Sequence, residues 1–280
     1  MGYRILEKRT LGPGSNLFVI EAPHVARSAR PGQFVILRAY EEGERIPLTL
    51  ADTDKEKGTV SIIFQVVGKT TKYLSLLKVG DNISDLLGPL GNPTEIENFG
   101  TIAALGGGFG TAVLYPLLKA LKEAGNYVIT INGARNEKLL LLEDELKKLS
   151  DEYYVTTDDG SKGVKGFVTD LLKKFLEEGR RIDRVFAVGP VPMMKAASDL
   201  TRKYKIKTIV SLNPIMVDGT GMCGSCRVEI GGETKFACVD GPEFDAHKVN
   251  FDLLMKRLRM YEEEEKISLD RFEKNINRGK

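Results

Sequence analysis

The chain has 280 residues, of which 42% are apolar, and a formal net charge of +2. The length suits two medium-sized domains or one large one, while the small net charge argues against nucleic acid or an anionic membrane as a partner. No apolar run approaches the roughly 20 residues of a membrane span, and MGYRILEKRT lacks a signal-peptide core, so we expect a cytoplasmic protein.

Residues 1–98 are rich in short runs of alternating apolar and polar residues. The runs are YRILEKR, NLFVIEA, QFVILRA, IPLTLAD and TVSIIFQVV, with turn residues such as Pro31-Gly32 between them. Short strands at this spacing are typical of a small antiparallel β-barrel. We therefore predict an antiparallel barrel domain over residues 1–98.

Two stretches of this region suggest a flavin site. RIPLTLAD offers a basic residue, a proline and a hydroxyl, which suit a flat ring and its phosphate. In FQVVGKTTKYLSLL a strand ends at Gly68 and a helix opens at about Thr70, so exposed N–H groups and Lys69 could bind phosphate. The alternative is an ordinary barrel turn capped by threonine. The candidate flavin-binding residues are Arg45, Pro47, Leu48, Thr49, Phe64, Gln65, Gly68, Lys69, Thr70 and Thr71.

From about residue 99 to residue 212, strand-like and helix-like segments alternate. TIAALG, NYVITING, EYYVTT, RVFAVGP and KTIVSL are the strand candidates, and the helix candidates between them include TAVLYPLLKALKEAG and EKLLLLEDELKKLS. This alternation predicts a Rossmann-like α/β domain, with a parallel sheet and helices on both faces.

The loop ALGGGFGTA joins the first buried strand of this domain to a helix, as in nucleotide-binding folds. The fingerprint is incomplete, because Thr111 stands at the third glycine position and Arg135 stands where NAD-binding folds offer an acid. Arg135 suits the 2′-phosphate of NADP(H) instead, and a glycine-rich turn without a ligand is the alternative. Two further loops, TTDDGSKG and AVGPVPMMK, follow strands. The candidate NAD(P)-binding residues are Gly106, Gly107, Gly108, Gly110, Thr111, Arg135, Asp158, Asp159, Gly189, Pro190 and Met193.

Residues 213–250 hold all three cysteines of the chain. Cys223, Cys226 and Cys238, with Asp218 before them, give the pattern D-x4-C-x2-C-x11-C. This is the plant-type [2Fe–2S] spacing with a carboxylate in place of the first thiolate. A structural zinc site and three unrelated core cysteines are the alternatives. The candidate metal ligands are Asp218, Cys223, Cys226 and Cys238.

Residues 251–280 form a tail that we predict to be helical. Phe251, Leu254, Leu258 and Tyr261 recur at helical spacing, and EEEEK follows them. The tail could dock a partner, or it could cap this chain.

Taken together, the motifs resemble the ferredoxin–NADP reductase superfamily, and within it the electron-transfer subunit type of dihydroorotate dehydrogenase. The likeness covers essentially the whole chain. It is closer to the small-subunit group of NADH-dependent ferredoxin:NADP oxidoreductase, also called a sulfide dehydrogenase subunit. The motifs that carry it are PGQF, RIPLTL, VVGKTT, GPLGNP, LGGGFGTA, TDDGSKGVKGFVTDLL, VGPVPMMK, DGTGMCGSCRV and HKVNFDLLMKRLRMYEEEEK.

The resemblance implies FAD in the barrel, NAD(H) in the α/β domain and a [2Fe–2S] cluster on the cysteine segment, with NADP(H) left open by Arg135. It implies an oxidoreductase subunit that moves electrons between NAD(H) and a larger iron–sulfur/flavin subunit in a heterodimer. That complex is electron-bifurcating and reaches ferredoxin. The alternatives are a sulfide dehydrogenase or sulfur reductase subunit, or a dihydroorotate dehydrogenase subunit, whose four cysteines this chain does not match at Asp218. The chemistry belongs to the cofactors, so we predict no catalytic acid or base and expect His24 and His247 to be surface or packing residues.

Overall fold

The computed structural model describes residues 2–278, which form two seven-stranded sheets, a small hairpin and eight α-helices. Within this described part of the chain, no helix has the length and apolar character needed to cross a membrane.

The first part of the chain forms an antiparallel barrel. The alternation that predicts it is visible in the core, where Val60, Ile62 and Phe64 are all fully buried at every second position. The elements, in chain order, are β1 (Tyr3–Gly12), β2 (Ser15–Glu21), α1 (Pro23–Ser28), β3 (Phe34–Arg38), β4 (Arg45–Asp54), β5 (Thr59–Gln65), α2 (Lys69–Leu76), β6 (Asn82–Ile83) and β7 (Asp85–Leu90).

The strand order shows how the barrel closes. The strands pair in the order β6-β1-β2-β5-β4-β3-β7, and every pair is antiparallel. The two edge strands, β6 and β7, are separated in sequence only by Ser84. The edges of the sheet therefore come together at this residue and leave the barrel nearly closed, which removes most of the unpaired strand edge.

The second part of the chain forms the predicted α/β unit. Six strands are parallel, and a later strand adds one antiparallel edge. The elements are β8 (Thr101–Gly107), α3 (Thr111–Glu123), β9 (Tyr127–Ala134), α4 (Glu143–Leu149), β10 (Glu152–Thr157), β11 (Val164–Lys165), α5 (Val168–Glu177), β12 (Arg184–Val188), α6 (Val191–Lys203) and β13 (Lys207–Ser211).

The order of this sheet identifies its ligand-binding edge. The strands run β11-β10-β9-β8-β12-β13, followed by the antiparallel edge strand. From β8 the chain builds outwards through β9 and β10, and it then returns to the other side of β8 as β12. Ligands in open parallel sheets bind at the carboxyl ends of the strands at such a switch point. The loops after β8 and β12 lie at this position.

Helices cover both faces of the parallel sheet, as predicted. On one face α3 packs with Leu114, Leu117 and Leu118 against fully buried residues of β8 and β9. On the other face α5 packs against β8 and β9, and α6 packs against β12 and β13, through residues such as Leu172 and Met194. The fold class predicted from the sequence is therefore confirmed.

One helix prediction was wrong. EKLLLLEDELKKLS does not form a continuous helix: a 3₁₀ turn spans Glu137–Leu139, and α4 begins only at Glu143. Leu140 and Leu141 between them are buried, and Leu142 has a left-handed backbone with φ 54°. Four consecutive leucines would point to all sides of a surface helix. The chain breaks the helix and buries two of them instead.

The remaining elements join the two sheets. They are β14 (Arg227–Ile230) and β15 (Glu233–Phe236), which form a hairpin, then β16 (Glu243–Asp245), which pairs with β13, and then α7 (Phe251–Leu258) and α8 (Glu262–Arg278). Helices α7 and α8 cover most of the tail predicted to be helical, with a break at residues 259–261. Residues 279–280 of that prediction lie outside the described residues. Helix α8 packs on α2 of the same chain: the rings of Tyr73 and Phe272 lie 6.3 Å apart, and Lys72 Nζ lies 3.7 Å from a Glu273 carboxylate oxygen.

Candidate functional site

A cavity of about 950 Å³ lies between the barrel and the carboxyl edge of the parallel sheet. Its volume is in the range of cofactor and small-molecule sites. Candidates from both predicted sites line it, so the structure brings the flavin and nucleotide candidates together in one cleft. The flavin candidates in the lining are Pro47, Leu48, Thr49, Phe64, Gln65 and Thr71. The nucleotide candidates in the lining are Gly107, Gly108, Gly110, Arg135, Asp158, Gly189, Pro190 and Met193.

The candidate phosphate-binding turn lies at the beginning of α2. The helix begins at Lys69, so its first N–H groups have no partner within the helix, as phosphate binding requires. Thr71 Oγ1 accepts a hydrogen bond from the N–H of Gly68 over 3.0 Å, which fixes the turn. Thr70 Oγ1 donates to Glu44 Oε2 over 2.9 Å, and Lys69 Nζ lies 3.9 Å from Glu44 Oε1. Gly68, Lys69 and Thr70 are outside the cavity lining, whereas Thr71 and the preceding Val67 line it.

Arg45, the first flavin candidate, links the barrel to the cysteine segment. Its Nε donates to the carbonyl oxygen of Val217 over 3.0 Å, and its Nη1 lies 3.7 Å from Asp85 Oδ2. Arg45 is not part of the cavity lining. Because Val217 directly precedes Asp218, this arginine holds the beginning of the candidate ligand loop against β4.

Two nucleotide candidates are structural parts of the loop rather than of the cavity wall. Gly106 and Thr111 are buried and lie outside the lining. Thr111 Oγ1 donates to Asn132 Oδ1 over 3.0 Å, and a Cβ at Gly106 would lie 2.8 Å from that hydroxyl oxygen. The threonine in the third fingerprint position therefore fastens the loop to β9.

The other loop glycines allow the two strand ends to approach each other. A Cβ at Gly107 would lie 2.3 Å from Met193 Sδ, and a Cβ at Gly110 would lie 2.4 Å from the carbonyl oxygen of Val188. A Cβ at Gly189 would lie 3.0 Å from Gly107 Cα. Side chains at these positions would close the crevice between β8 and β12, where a pyrophosphate approaches the backbone in such folds.

At the outer end of the crevice, charged and aromatic side chains face the cavity. Arg135 and Asp158 follow β9 and β10 with exposed side chains, and both line the cavity. Asp159 does not line it: its Oδ1 accepts from the N–H of Ser161 over 2.9 Å, and Ser161 lowers the pKa of this carboxyl. The sequence reasoning missed Phe167, which lines the cavity although its side chain is 61% exposed. The available signal was the position of this aromatic residue, which directly precedes a helix that follows a strand.

The floor of the cavity contains apolar residues that are not among the binding residues predicted from the sequence. Phe34 comes from β3, Met216 precedes the cysteine loop, and Pro242 precedes β16. Both histidines lie outside the lining. The cavity therefore joins the barrel, the parallel sheet and the cysteine segment.

The cysteine segment brings two of the four candidate ligands into direct contact. Cys226 and Cys238 are buried, and their Sγ atoms lie 3.1 Å apart. Cys223 is exposed, and its Sγ lies 3.0 Å from Ser225 Oγ. Asp218 Oδ2 accepts from the N–H of Cys223 over 2.8 Å. In residues 2–278, no three side chains of His, Cys, Asp or Glu converge closely enough to hold a metal ion. Asp218 and Cys223 therefore lie beside the thiol pair without completing a ligand set.

The chemistry of these donors nevertheless fits an iron–sulfur cluster. Burial, and then the thiol of Cys226, raise the pKa of Cys238 to about 12. Two buried thiols in contact form thiolates only when a cation compensates their charge. The N–H of Thr220 lowers the pKa of Asp218, so this side chain is an anion available to a metal. Gly219, Gly221 and Gly224 have positive φ angles, which L-residues rarely adopt, and give the loop its tight course.

The cysteine loop packs directly on the barrel. A Cβ at Gly219 would lie 2.6 Å from Leu90 Cδ1 and 2.7 Å from Ile36 Cγ1, so the loop backbone approaches β3 and β7 closely. Met216, two residues before Asp218, lines the cavity. The candidate cluster ligands therefore lie next to the wall of the cleft. This arrangement suits electron transfer between a group in the cleft and a group on the loop.

Two protein-family models match parts of the chain. Residues 104–199 match the oxidoreductase NAD-binding domain. Residues 213–250 match the iron–sulfur cluster binding domain of dihydroorotate dehydrogenase B. These matches and the flavoprotein-type fold confirm the predicted cofactors, which are FAD, a [2Fe–2S] cluster and NAD(H).

The chain is also similar to whole proteins. It is 56% identical over 255 residues to a dihydroorotate dehydrogenase B (NAD(+)) electron transfer subunit homolog from Thermotoga maritima, covering 91% of this chain and 90% of the relative. A solved structure of NADH-dependent reduced ferredoxin-NADP oxidoreductase, described for flavin-based electron bifurcation, contains a similar chain. It has 53% identity and a TM-score of 0.92, and the match covers 97% of this chain and 98% of that one. An Amycolatopsis cytochrome P450 reductase, GcoB, shares the fold alone, with 20% identity, a TM-score of 0.60 and coverage of 73% and 66%.

Proposed function

Because this chain belongs to the family of dihydroorotate dehydrogenase B electron-transfer subunits and their homologues, we propose that it is the NADH-linked subunit of an electron-bifurcating ferredoxin:NADP oxidoreductase. It moves electrons between NAD(H) and a larger iron–sulfur/flavin subunit, which communicates with ferredoxin. The observation that carries this proposal is the common cleft, since one cavity is lined by flavin candidates, nucleotide candidates and a residue two positions from the candidate ligand Asp218.

Different residues bind the flavin and the nicotinamide nucleotide. The barrel residues Pro47, Leu48 and Thr49 hold the flavin from one side, and the turn at Thr71 holds its phosphates. The loops after β8 and β12 bind the nicotinamide nucleotide from the other side. NAD(H) transfers two electrons together as a hydride, whereas a [2Fe–2S] cluster transfers one electron at a time. Bound FAD would link the two, because a flavin can accept or release electrons in either way. The protein has to orient these groups and exclude water, and the apolar floor of the cavity suits both tasks.

The surface of the cysteine loop supports the proposed docking of the larger subunit. Met222 is 88% exposed, and Val217 and Val239 are 45% and 41% exposed. All three lie on the loop or beside it, and a Cβ at Gly221 would contact Val239 at 3.2 Å. Exposed apolar side chains around an exposed Cys223 fit a protein interface across which electrons leave the chain. We propose a cytoplasmic complex, and the three free cysteines support this because they suit a reducing compartment.

A dihydroorotate dehydrogenase subunit is the second candidate function, because the Thermotoga maritima relative is named as a homolog of such a subunit. The sequence feature that disfavours it is Asp218, which stands where that type has a cysteine. The activity of the complex purified with its native partner separates the two candidates. A ferredoxin:NADP oxidoreductase reduces ferredoxin, whereas a dihydroorotate dehydrogenase oxidises dihydroorotate.

The first test is to purify the chain without oxygen and measure its iron, acid-labile sulfide, zinc and flavin. We expect about two irons, two sulfides and one FAD per chain, followed by bleaching of the flavin and an EPR signal of the reduced cluster when NADH is added. Without its partner the chain should reduce an artificial acceptor such as ferricyanide, but not ferredoxin. One zinc per chain without flavin would refute the proposal.

A further inference from the structure

The turn between Cys223 and Cys226 is held by two arginines. Arg227 Nη1 donates to the carbonyl oxygen of Gly224 over 3.0 Å, and Arg257 Nη2 donates to the carbonyl oxygen of Ser225 over 3.1 Å. Two consecutive peptide groups of the C-x2-C turn thus each receive a guanidinium hydrogen bond. Neither arginine belongs to the cavity or to the candidate ligand set.

The residue that carries the N–H of the first of these peptide groups contacts a candidate ligand. Ser225 Oγ lies 3.0 Å from Cys223 Sγ. In a trans peptide the C=O and the N–H point in opposite directions. A guanidinium that binds the Gly224 carbonyl therefore polarises the N–H of Ser225, the residue whose hydroxyl contacts Cys223, because hydrogen bonds in a chain strengthen one another.

The packing and the N-terminal cap of α7 fix the position of Arg257 at this turn. Helix α7 is anchored by the buried residues Phe251 and Leu254, which belong to the same core cluster as Cys226 and Cys238. The Asn250 side chain begins the helix by accepting from the N–H of Leu253 over 3.0 Å. Arg257 is half-buried, and burial, followed by the charge of Arg227, lowers the pKa of its guanidinium. A cation in this setting is screened by water much less than an exposed one.

We propose that Arg257, with Arg227, is a positioning residue that raises the reduction potential of the cluster by orienting the C-x2-C turn and placing positive charge beside it. The inference rests on the proposed function, since it requires the cluster. Reduction adds one negative charge to the cluster, and nearby cations stabilise the reduced form more than the oxidised form. The carboxylates of Asp218 and Asp240, on the same cysteine segment, carry the opposite charge.

The test is an EPR-monitored redox titration of the cluster in the purified chain, with Arg257→Gln compared with Arg257→Lys. The matched control is Arg259→Gln, which removes the same charge from an exposed position two residues further along the chain. We expect Arg257→Gln to shift the midpoint potential to more negative values. Arg257→Lys keeps the charge but loses the planar donor group, so it should shift the potential less. Arg259→Gln should leave the potential unchanged.

A second variant keeps the test decisive if Arg257→Gln does not retain its cluster. In that case Arg227→Gln and Arg257→Lys are titrated, and a negative shift in Arg227→Gln supports the proposal. Potentials that match Arg259→Gln, or that move to more positive values, overturn it. If the variants carry the cluster but their midpoint potentials are unshifted, this inference alone is overturned. If the wild-type chain contains no iron and sulfide, the proposed function is overturned together with it.

Discussion

The hydroxyl of Thr94 donates a hydrogen bond to Oε1 of Glu243 over 2.7 Å, and this contact joins the segment after the barrel to the edge strand β16 of the parallel sheet. The site is tight: a Cβ at Gly32 would lie 2.2 Å from Thr94 Oγ1 and 3.3 Å from Glu243 Oε1. Burial raises the pKa of Glu243 from an ordinary 4.5 to about 7, although the bond from Thr94 lowers it somewhat. The two sheets thus meet at a carboxyl group that is protonated in mildly acidic solution.

Glu243 should make the stability of the protein fall as the pH rises. Between pH 4.5 and about 7 the folded state keeps the proton, while the unfolded state has released it. The free energy of unfolding therefore decreases through this window, by at most about 3 kcal/mol. Glu243→Gln should flatten this dependence and stabilise the protein at pH 8, as measured by denaturant unfolding at pH 5.5 and 8. The control is Glu233→Gln on an exposed hairpin, and a variant that keeps the wild-type slope would contradict the assignment.

Substitutions in the cysteine loop should separate the candidate ligands. Cys226→Ser should lose most of the iron, because its thiol forms the buried pair with Cys238. Asp218→Ala should lower the iron content at least about threefold and change the EPR g-values, since a ligand is replaced by solvent. Glu233→Ala removes a carboxylate from the neighbouring hairpin and should match the wild type. Unchanged iron and EPR signals in Asp218→Ala would mean that the fourth ligand lies elsewhere.

Gly110 should tolerate no side chain. An alanine Cβ would lie 2.4 Å from the carbonyl oxygen of Val188 and 2.6 Å from the Cα and N of Gly189, and these backbone atoms cannot move aside at little cost. We expect Gly110→Ala to cost about 1–3 kcal/mol of stability and to raise the KM for NADH, with FAD content unchanged because the barrel side is intact. Gly12→Ala is the matched control, since its Cβ would meet only Leu141 Cδ2 at 3.4 Å. Equal thermal midpoints and equal KM values for the two variants would refute the argument.

Helix α8 should help to retain the flavin. It packs on α2, whose first turn is the candidate phosphate-binding site, through Phe272 against Tyr73. Removing an aromatic pair costs about 0.5–1.5 kcal/mol, so Phe272→Ala should raise the Kd for FAD about two- to tenfold. Flavin fluorescence during titration of the apoprotein measures this, with the exposed Lys266→Ala as control. If the Kd stays constant while binding of the larger subunit is lost, the tail serves the partner instead.

The sequence predicts most of the fold because burial sets the periodicity of each segment. Alternating runs become barrel strands, and continuous apolar runs become the parallel sheet. The pattern fails at Leu140–Leu142, where tertiary contacts bury leucines that a helix would expose. Individual loops also indicate binding residues, since glycines and hydroxyls have local roles. What they cannot indicate is which loops meet.

Contacts between distant parts of the chain are therefore what sequence reasoning misses. The Arg45–Val217 hydrogen bond spans 172 positions, and the contact between Thr94 and Glu243 spans 149. Arg257 is also invisible as a site residue, because it lies in an ordinary amphipathic helix 32 positions from Ser225. Only the packing of α7 against the cysteine segment gives this arginine a role.

The nucleotide preference should depend on Asp158 and Arg135, the two charged side chains among the predicted nucleotide residues that line the cavity. A carboxylate that accepts from ribose hydroxyls contributes about 1.5–3 kcal/mol. Asp158→Asn should therefore lower kcat/KM for NADH at least about tenfold. Arg135→Ala should leave NADH within about threefold and weaken NADPH further, because the guanidinium suits only the 2′-phosphate. Steady-state reduction of ferricyanide with each nucleotide measures both effects.

Glu137→Gln, outside the cavity lining, is the control for charge alone. A loss of NADH activity in Arg135→Ala as large as that in Asp158→Asn would show that the arginine binds a part common to both nucleotides, such as the pyrophosphate.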